Sequence, residues 1–209
     1  PTVRGFVLTL RDVTDQRKLE QELTHRASHD SLTGLANRVL FRDRVERALA
    51  VRANGTVGVL LVDLDDFKLV NDTMGHGIGD ELLVAVAGRL IATLRPDDLA
   101  ARLGGDEFAI LIEGAAGADE IEEIAARIVD ALVAPLDVGS GLATSVSVGV
   151  ATTPGASGSA EMLSQADLAL YAAKGAGKGR WRRYEPGLHL AAVDRLARAL
   201  GMHGHIDIL

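Results

Sequence analysis

Two apolar runs separated by a pair of glycines and a pair of acids constrain the fold of this chain most strongly. The runs are residues 99–103 and 108–112, and Gly104-Gly105-Asp106-Glu107 joins them. Apolar strands on either side of a Gly-Gly turn are typical of a tight β-hairpin. Carboxylates at a strand end are costly to desolvate unless a cation or donors meet them, and glycine leaves room for a bulky phosphate. The pattern suggests a phosphate and metal site, although a solvated turn would look the same.

A second group of carboxylates follows the apolar run 57–62, which predicts a central strand. Asp63 and two further aspartates crowd at its end, and Lys68 comes soon after. If this strand neighbours the hairpin, Asp63 and Asp106 converge. Oxygen ligands of this kind suit Mg²⁺, which takes one or two carboxylates together with phosphate oxygens and water. Asp63 as a turn residue and Lys68 as a solvated helix lysine remain the alternatives.

Two further segments carry groups suited to an anion. Asp65-Asp66-Phe67 is expected to open a short helix, whose first N–H groups could hold phosphate oxygens. Lys174, Lys178 and Arg180 alternate with glycines at the end of a later helix. Basic residues at that position favour the helix dipole whatever the function, so both interpretations stay open.

The remaining pattern mixes helices and strands without the strict alternation of a doubly wound fold. The first predicted helix is capped by Asn37 and ends near Ala53, and a short helix follows at Phe67–Met74. Asp80 opens the next helix, over 81–94, after the glycine loop 75–79. The remaining predicted elements are a helix at about 119–134, a strand over 143–152, a helix from Ala160 to about Lys174 and a last strand over 181–184. The expected class is α+β, an antiparallel sheet with helices packed on it.

Composition excludes several classes of function. The 209 residues are 47% hydrophobic, which favours one domain of catalytic size with appended segments. A formal charge of -7 argues against a broad nucleic-acid surface, and 3% aromatic residues argue against base stacking. Because cysteine is absent, a metal must use oxygen or histidine ligands, and a reducing compartment is expected. The apolar runs are too short to cross a membrane.

Four motifs in sequence order give the chain a resemblance to a known family. Residues 102–108 match the GGDEF motif letter for letter, and residues 30–38 (DSLTGLANR) look like that family's N-terminal motif. Residues 63–80 resemble its metal- and guanine-binding segment, and residues 169–179 resemble its late phosphate-contacting helix. Over about residues 30–185 the chain therefore resembles the GGDEF diguanylate cyclases. The resemblance implies a nucleotide-cyclase-like, ferredoxin-related α+β sandwich with a central, mainly antiparallel five-stranded sheet flanked by helices.

The resemblance also implies roles for individual residues. It places Asp63, Asp106 and the carbonyl of Leu64 at the metal, Asn71 and Asp80 at the guanine edge, and His76 at a further substrate contact. It makes Lys68 a catalytic lysine, Asp106 the candidate general base, and Gly104, Gly105, Lys174 and Lys178 contacts of the substrate. Lys178 stands where arginine is frequent in the family, which keeps the charge but loses the bidentate fork.

The implied reaction condenses two GTP into cyclic di-GMP with release of pyrophosphate. The 3′-hydroxyl of one GTP attacks the α-phosphorus of the other, twice, while Lys68 and Mg²⁺ (two ions per site, with Mn²⁺ as an alternative) neutralise charge. A metal ligand has little basicity to spare, so Asp106 is only loosely assigned as the base. Each domain would bind one GTP, so turnover needs a homodimer. A cytoplasmic location without nucleic-acid or membrane contact is expected.

Arg95 and Asp98 form an RxxD sequence, and five residues separate it from Gly104. By resemblance this is the family's product-inhibition site, where the two side chains bind cyclic di-GMP. From composition alone it is a turn that ends a helix. Arginine suits the inhibitory site because it can grip a phosphate or stack on guanine.

The flanks carry weaker resemblances and leave alternatives for the function. The predicted domains are a remnant of an upstream PAS-like sensor (1–12), a linker helix (13–29), the GGDEF domain (30–185) and a tail like the linker to an EAL phosphodiesterase domain (186–209). An EAL-like linker favours the alternative of a catalytically silent module that binds GTP or cyclic di-GMP and regulates a neighbouring domain. Another cyclase or polymerase palm with the same two carboxylates is a third interpretation.

Overall fold

The computed structural model describes residues 27–51, 55–136, 138, 141–153, 156 and 158–188. The helices in this part of the chain are α1 (Arg38–Ala50), α2 (Phe67–Met74), α3 (His76–Thr93), α4 (Ala118–Val133) and α5 (Ser159–Gly175). The strands are β1 (Ala36–Asn37), β2 (Thr56–Leu64), β3 (Leu99–Gly104), β4 (Glu107–Ala115), β5 (Val146–Thr152) and β6 (Trp181–Arg183).

The described strands form a 6-stranded sheet in the order β1-β3-β4-β2-β5-β6. Strand β2 lies between β4 and β5 and runs antiparallel to both, whereas the outer pairs β1·β3 and β5·β6 are parallel. β2 takes the centre because its residues are apolar on both faces and therefore need cover on both sides. The predicted α+β class with a mainly antiparallel sheet is confirmed.

Helices cover both faces of the sheet and divide the core in two. On one face Leu60 and Val62 of β2 pack with α3 and α4, and on the other Val57 and Val59 pack with α1 and α5. This division follows the two-residue period of a strand. By the same alternation the side chain of Asp63, which follows Val62, points to the face that α1 and α5 cover.

Gly149 of β5 permits a close approach of α5 to the sheet. A Cβ atom on Gly149 would lie 2.0 Å from the carbonyl oxygen of Ala166 and 2.3 Å from the backbone nitrogen of Leu170. Both are backbone atoms of α5, so a side chain here would have to push the helix away. The helix carries Lys174 in its last turn, and the glycine therefore helps to set the distance of that lysine from the sheet.

Helix α3 begins earlier than the sequence predicts. The expected start was at Glu81 after a glycine loop, but the helix begins at His76. Of the three glycines, Gly75 alone has a positive φ, of 86°, while Gly77 and Gly79 lie inside the helix. The low helix propensity of glycine makes such a start hard to predict from sequence.

Smaller differences concern short elements and boundaries. The sheet has six strands instead of the predicted five because Ala36–Asn37 pairs with β3, and two residues are too few to show an alternating pattern. Asn37 caps α1 as predicted, since its side-chain oxygen accepts hydrogen bonds from the N–H groups of Val39 and Leu40. Helix α1 ends at Ala50 instead of near Ala53, and β5 begins at Val146 instead of at Ala143.

Several predictions concern parts of the chain that the structure does not describe. The PAS-like remnant (1–12), nearly all of the linker helix (13–29) and the tail beyond residue 188 lie outside the described residues. The predicted limits of the central domain stay predictions. None of the helices in the described part combines the length and the apolar content that a membrane span requires.

Candidate active site

The tip of the β3–β4 hairpin is an exposed two-residue turn. Gly104 is the cross-strand partner of Glu107, so Gly105 and Asp106 form the loop between them. The φ angles of Gly104 and Gly105 are 139° and 55°, in the region that favours glycine. No described atom lies within 4 Å of the place that a Cβ would take on either glycine. The tip therefore leaves space above its backbone for a ligand.

Arg102, a residue of β3, contacts the loop of its own hairpin through its side chain. Its guanidinium donates to the carbonyl oxygen of Gly105 at 2.8 and 3.0 Å and forms an ion pair with Asp30 at 3.1 Å. Asp30 also accepts hydrogen bonds from the N–H and the hydroxyl of Thr33, at 2.9 and 2.7 Å. Partial burial by itself would raise the pKa of Asp30, but the hydrogen bonds from Thr33 and Arg102 outweigh it and the net pKa is lowered. Asp30 is therefore an ionised anchor for Arg102.

A second arginine holds the hairpin from α1. Arg38 donates from Nε to the carbonyl oxygen of Leu103 at 3.1 Å and from Nη2 to Glu107 at 3.3 Å. Leu103 and Glu107 lie on opposite strands of the hairpin, so one guanidinium contacts both. Sequence reasoning gave no role to Arg38 or Arg102, although both belong to the recognised motifs.

Asp63 and Asp106 come together because β2 and β4 are neighbours. Asp63 is the cross-strand partner of Glu107, the first residue of β4. The N–H of Leu64 donates to the carbonyl oxygen of Asp106 at 3.4 Å. The structure thus brings the end of β2 against the hairpin loop, which is the arrangement that the convergence of the two carboxylates requires.

The environment of Asp63 disfavours its charge. Its side chain is 12% exposed, and Lys174 Nζ lies 2.7 Å from Oδ2. Burial raises the pKa of Asp63 above its usual value against the opposing effect of Lys174, and the charges of Asp106 and Asp65 push in the same direction as burial. A cation is therefore favoured next to this carboxylate.

The donor set fits a hard divalent cation that binds together with a phosphate. It consists of oxygen atoms only, from the carboxylates of Asp63 and Asp106 and the carbonyl of Leu64. In the described residues, no cluster of three or more His, Cys, Asp or Glu side chains is placed to hold a metal by itself. Mg²⁺ commonly uses one or two carboxylates and completes its shell with phosphate oxygens and water. Two carboxylates and a carbonyl oxygen could form part of such a shell.

Asp65 has a structural role that sequence reasoning missed. Its carboxylate is buried and accepts hydrogen bonds from the hydroxyls of Ser145 and Ser147, each at 2.8 Å, and from the N–H of Gly179 at 2.9 Å. These bonds join the end of β2 to β5 and to the glycine-rich segment after α5. The sequence signal for this role was the pair of serines two residues apart at the start of a strand, because such residues share one face of a sheet.

Helix α2 begins directly after the aspartates, as predicted. Asp66 precedes it with a φ of 60°, and its carboxylate pairs with Lys178 Nζ at 2.7 Å instead of capping the helix. The hydrogen bond to Asp66 raises the pKa of Lys178, with smaller contributions from the charges of Asp65 and Asp63. The structure thus brings Lys174 and Lys178 to the carboxylate cluster. Lys68 lies exposed on the first turn of α2.

The residues predicted to bind guanine lie where α2 meets α3. A Cβ on Gly79 would lie 1.9 Å from Oδ1 of Asn71, so the Asn71 carboxamide packs directly on the second turn of α3. Asp80 is the next residue on that helix and is exposed, and His76 is exposed at its start. Asn71 and Asp80 therefore occupy adjoining surfaces of two packed helices.

The RxxD sequence forms the turn between α3 and β3. The N–H of Arg95 donates to Asp98 Oδ2 at 3.0 Å, and the N–H of Asp98 donates to the carbonyl oxygen of Arg95 at 3.1 Å. Burial raises the pKa of Asp98 although Arg95 and Arg127 lower it. Strand β3 separates this turn from Gly104 by about 20 Å of extended chain. The turn and the hairpin tip are thus distinct surfaces.

A cavity of about 270 Å³ lies between α1 and α5 beneath the hairpin. Arg38, Leu61, Leu103 and Asp167 are among its lining residues. Its lining residues do not include the predicted metal, guanine or phosphate residues. The cavity is therefore distinct from the candidate active site.

Comparison with known proteins identifies the family. The family described as "Diguanylate cyclase, GGDEF domain" matches residues 27–180. The chain belongs to the GGDEF family. Solved GGDEF domains have the same fold: that of TpbB from Pseudomonas aeruginosa has a TM-score of 0.76 at 40% identity and covers 79% of this chain and 99% of that structure. The coiled coil and GGDEF domain of DgcB from Caulobacter crescentus, in complex with c-di-GMP, has a TM-score of 0.70 at 32% identity and covers 82% and 93%.

Curated relatives differ in their named activities. The probable diguanylate cyclase DgcE of Escherichia coli (strain K12) is 39% identical over 202 residues, which is 94% of this chain and 18% of the relative. The diguanylate cyclase TpbB of Pseudomonas aeruginosa is 42% identical over 178 residues, 81% of this chain and 41% of the relative. The cyclic di-GMP phosphodiesterase PdeR of Escherichia coli is 38% identical over 187 residues, 88% and 28%. The GGDEF chain described here spans less than half the length of these relatives.

Proposed function

We propose that this GGDEF domain is an active diguanylate cyclase that condenses two GTP into cyclic di-GMP and pyrophosphate. The observation that carries the proposal is the cluster at the end of β2. There Asp63 lies beside the loop that carries Asp106, and Lys174 approaches Asp63 to 2.7 Å. The relatives named as diguanylate cyclases support the same class of enzyme.

The oxygen donors of the cluster would hold the metal. Asp63, Asp106 and the carbonyl of Leu64 fit Mg²⁺, with Mn²⁺ as an alternative. When bound with the triphosphate, the metal would neutralise charge that develops at the reacting phosphoryl group.

The polar residues of α2 and α3 would bind the base. The Asn71 carboxamide offers one donor group and one acceptor, and the Asp80 carboxylate accepts from base N–H groups. His76 would add a further substrate contact. Because the Asn71 carboxamide rests on α3 next to Asp80, both groups would face one edge of guanine, which supports GTP over ATP as the substrate.

The glycines of the hairpin and three lysines would receive the triphosphate. Gly104 and Gly105 leave space above the tip. Lys68, Lys174 and Lys178 would bring positive charge to the phosphates, and Lys68 would offset the charge of the transition state. Positioning and charge neutralisation account for most of the catalysis in phosphoryl transfer.

The reaction would join nucleotides held by two copies of the domain. The 3′-hydroxyl of each GTP would attack the α-phosphorus of the other, so that two phosphodiester bonds form, two bonds to the β-phosphates break and two pyrophosphates leave. Asp106 is the candidate acceptor of the hydroxyl proton. Because each hairpin tip would hold one GTP, turnover would require a homodimer with two tips face to face. A GTP substrate implies a cytoplasmic domain.

Product inhibition would act through the RxxD turn. Arg95 and Asp98 would bind cyclic di-GMP at the turn between α3 and β3, away from the hairpin tip. The DgcB structure in complex with c-di-GMP supports binding of this product by the family.

A catalytically silent module is the second candidate. It is favoured by the PdeR relative, a phosphodiesterase by name that matches 88% of this chain. In that case the domain would bind GTP or cyclic di-GMP and control a neighbouring domain.

Incubation of the chain with GTP and Mg²⁺, followed by chromatography, separates the two candidates. We expect cyclic di-GMP from the wild-type chain, both free and fused to a dimeric coiled coil. Asp106→Asn should lower turnover at least about 100-fold, because it removes a ligand charge from the metal. Asp72→Asn is the matched control, since Asp72 is an exposed carboxylate on α2. GTP binding without any product from the fused dimer would favour the silent module.

A further inference from the structure

The guanidinium of Arg95 already has an anionic partner within this domain. Arg95 Nη2 contacts Oε1 of Glu120, which lies in the first turn of α4. Arg95 and Glu120 are 25 positions apart in the sequence, and the packing of α4 next to the RxxD turn brings them together. The contact involves the same cationic group that would bind the phosphate of the product.

Glu120 is held in place independently of Arg95. Its other oxygen, Oε2, accepts a hydrogen bond from the N–H of Ala116 at 2.7 Å. The hydrogen bond from Ala116 lowers the pKa of Glu120, and the one from Arg95 lowers it further. The carboxylate is therefore ionised and fixed in position beside the guanidinium at neutral pH.

Two exposed arginines, Arg95 and Arg127, lie next to the turn. Asp98 accepts the backbone N–H of Arg95, and Arg127 donates from Nη2 to the carbonyl oxygen of Thr93 at 3.1 Å. The side chain of Arg95 is 53% exposed and that of Glu120 is 23% exposed. An incoming anion can thus reach Arg95, but it meets the charge of Glu120 at the same place.

We propose that Glu120 is an internal competitor that sets the affinity of the RxxD turn for cyclic di-GMP. The proposal rests on the assignment of the product site to Arg95 and Asp98. A phosphodiester oxygen that approaches the Nη2 edge of Arg95 needs the N–H donors that Glu120 already engages. The doubly anionic product must therefore displace Glu120 from Arg95 and bind against its residual repulsion. Glu120 weakens product binding and so raises the concentration at which inhibition begins.

Glu120→Gln tests the proposal because it removes the charge and keeps an oxygen that can accept the N–H of Ala116. The measurement is the Kd for cyclic di-GMP by titration calorimetry in EDTA, which needs no catalytic turnover. We expect binding about two- to fivefold tighter, the range that exposed ion pairs typically contribute. Asp119→Asn is the matched control, since Asp119 is the preceding, exposed acid of the same helix turn. It should leave the Kd near that of the wild type.

Arg95→Ala separates the failure of this inference from that of the site on which it rests. If Arg95→Ala abolishes binding and Glu120→Gln tightens it more than Asp119→Asn, Glu120 is a competitor. If Arg95→Ala abolishes binding but Glu120→Gln weakens it or matches the control, Glu120 positions the arginine or is irrelevant, and the inference is wrong. If Arg95→Ala binds as the wild type does, the assignment of the product site itself fails. Thermal melting of each variant verifies that α4 stays folded.

Discussion

Substitution of Gly79 by alanine tests whether the packing of α2 on α3 positions the residues proposed to bind the base. A Cβ at this position would lie 1.9 Å from Oδ1 and 3.0 Å from Cγ of Asn71, and 3.3 Å from Cζ of Phe67. The close atoms belong to the end of a flexible side chain, not to backbone. Gly79→Ala should therefore leave the helices in place and push the Asn71 carboxamide out of its position.

The expected loss is in the affinity for GTP. If Asn71 makes two hydrogen bonds to guanine, each worth about 1 kcal/mol, their loss weakens binding roughly thirtyfold. The preference for GTP over ATP should fall with it. The fold should suffer little, because alanine in place of glycine inside a helix contributes about 1 kcal/mol of helix propensity, which offsets the displacement.

Gly88→Ala is the matched control on the same helix. No described atom lies within 4 Å of the place that its Cβ would take. This variant should bind GTP as the wild type does and unfold at a higher urea concentration. Affinities are measured by calorimetry with a non-hydrolysable GTP analogue and its ATP counterpart.

Two results would contradict the reasoning about Gly79. One is an affinity of Gly79→Ala equal to that of Gly88→Ala. The other is additivity with Asn71→Ala: if Gly79→Ala acts by displacing Asn71, it should have no further effect once that side chain is removed. Full additivity would mean that alanine at position 79 disturbs the site by another route.

Two further predictions concern stability. Asp30→Asn should cost about 1 kcal/mol of unfolding free energy at neutral pH, because it removes a charged partner of Arg102 and Thr33. Since the pKa of Asp30 is lowered from 3.8 in the folded state, its charge stabilises the fold above that value, and the contribution is lost as the pH falls through the folded-state pKa. Urea melts of the wild type and of Asp30→Asn should therefore converge below the folded-state pKa. A difference in stability that persists at that pH would contradict the role of the Asp30 charge. Gly149→Ala should cost about 3 kcal/mol or more, because the methyl group would meet backbone atoms of α5; a urea midpoint equal to that of Gly88→Ala would show that α5 can move away freely.

The strands that form the candidate site are easier to predict from the sequence than the hydrogen-bond and ion-pair partners of its side chains. The central strand and the hairpin follow from continuous apolar runs, and the position of Asp63 beside the hairpin follows once those strands are neighbours. Helix α3 is less apparent, because glycine propensity argues against a helix where packing against Asn71 requires the small residue. Tertiary packing outweighs local preference there.

The partners of the charged groups depend on contacts far apart in the chain. From its sequence neighbours alone, Asp65 is one more member of a group of crowded aspartates. Its actual donors, Ser145, Ser147 and Gly179, lie 80, 82 and 114 residues away. Glu120 likewise shows no connection to Arg95 until α4 is packed beside the RxxD turn. The sequence pattern therefore predicts which residue types form the site, whereas the pairing of the charged groups becomes known only from the fold.

The Asp30–Arg102–Gly105 contacts have a mechanical consequence for the hairpin. Asp30 belongs to the first turn of the described chain, and Arg102 connects it to the carbonyl oxygen of the hairpin loop. A displacement of that first turn must either break the ion pair or carry the loop of Gly105 with it. The path from Asp30 to the loop of Asp106 is thus two side chains long and runs through the polar contacts of Arg102 on β3 instead of through the hydrophobic core.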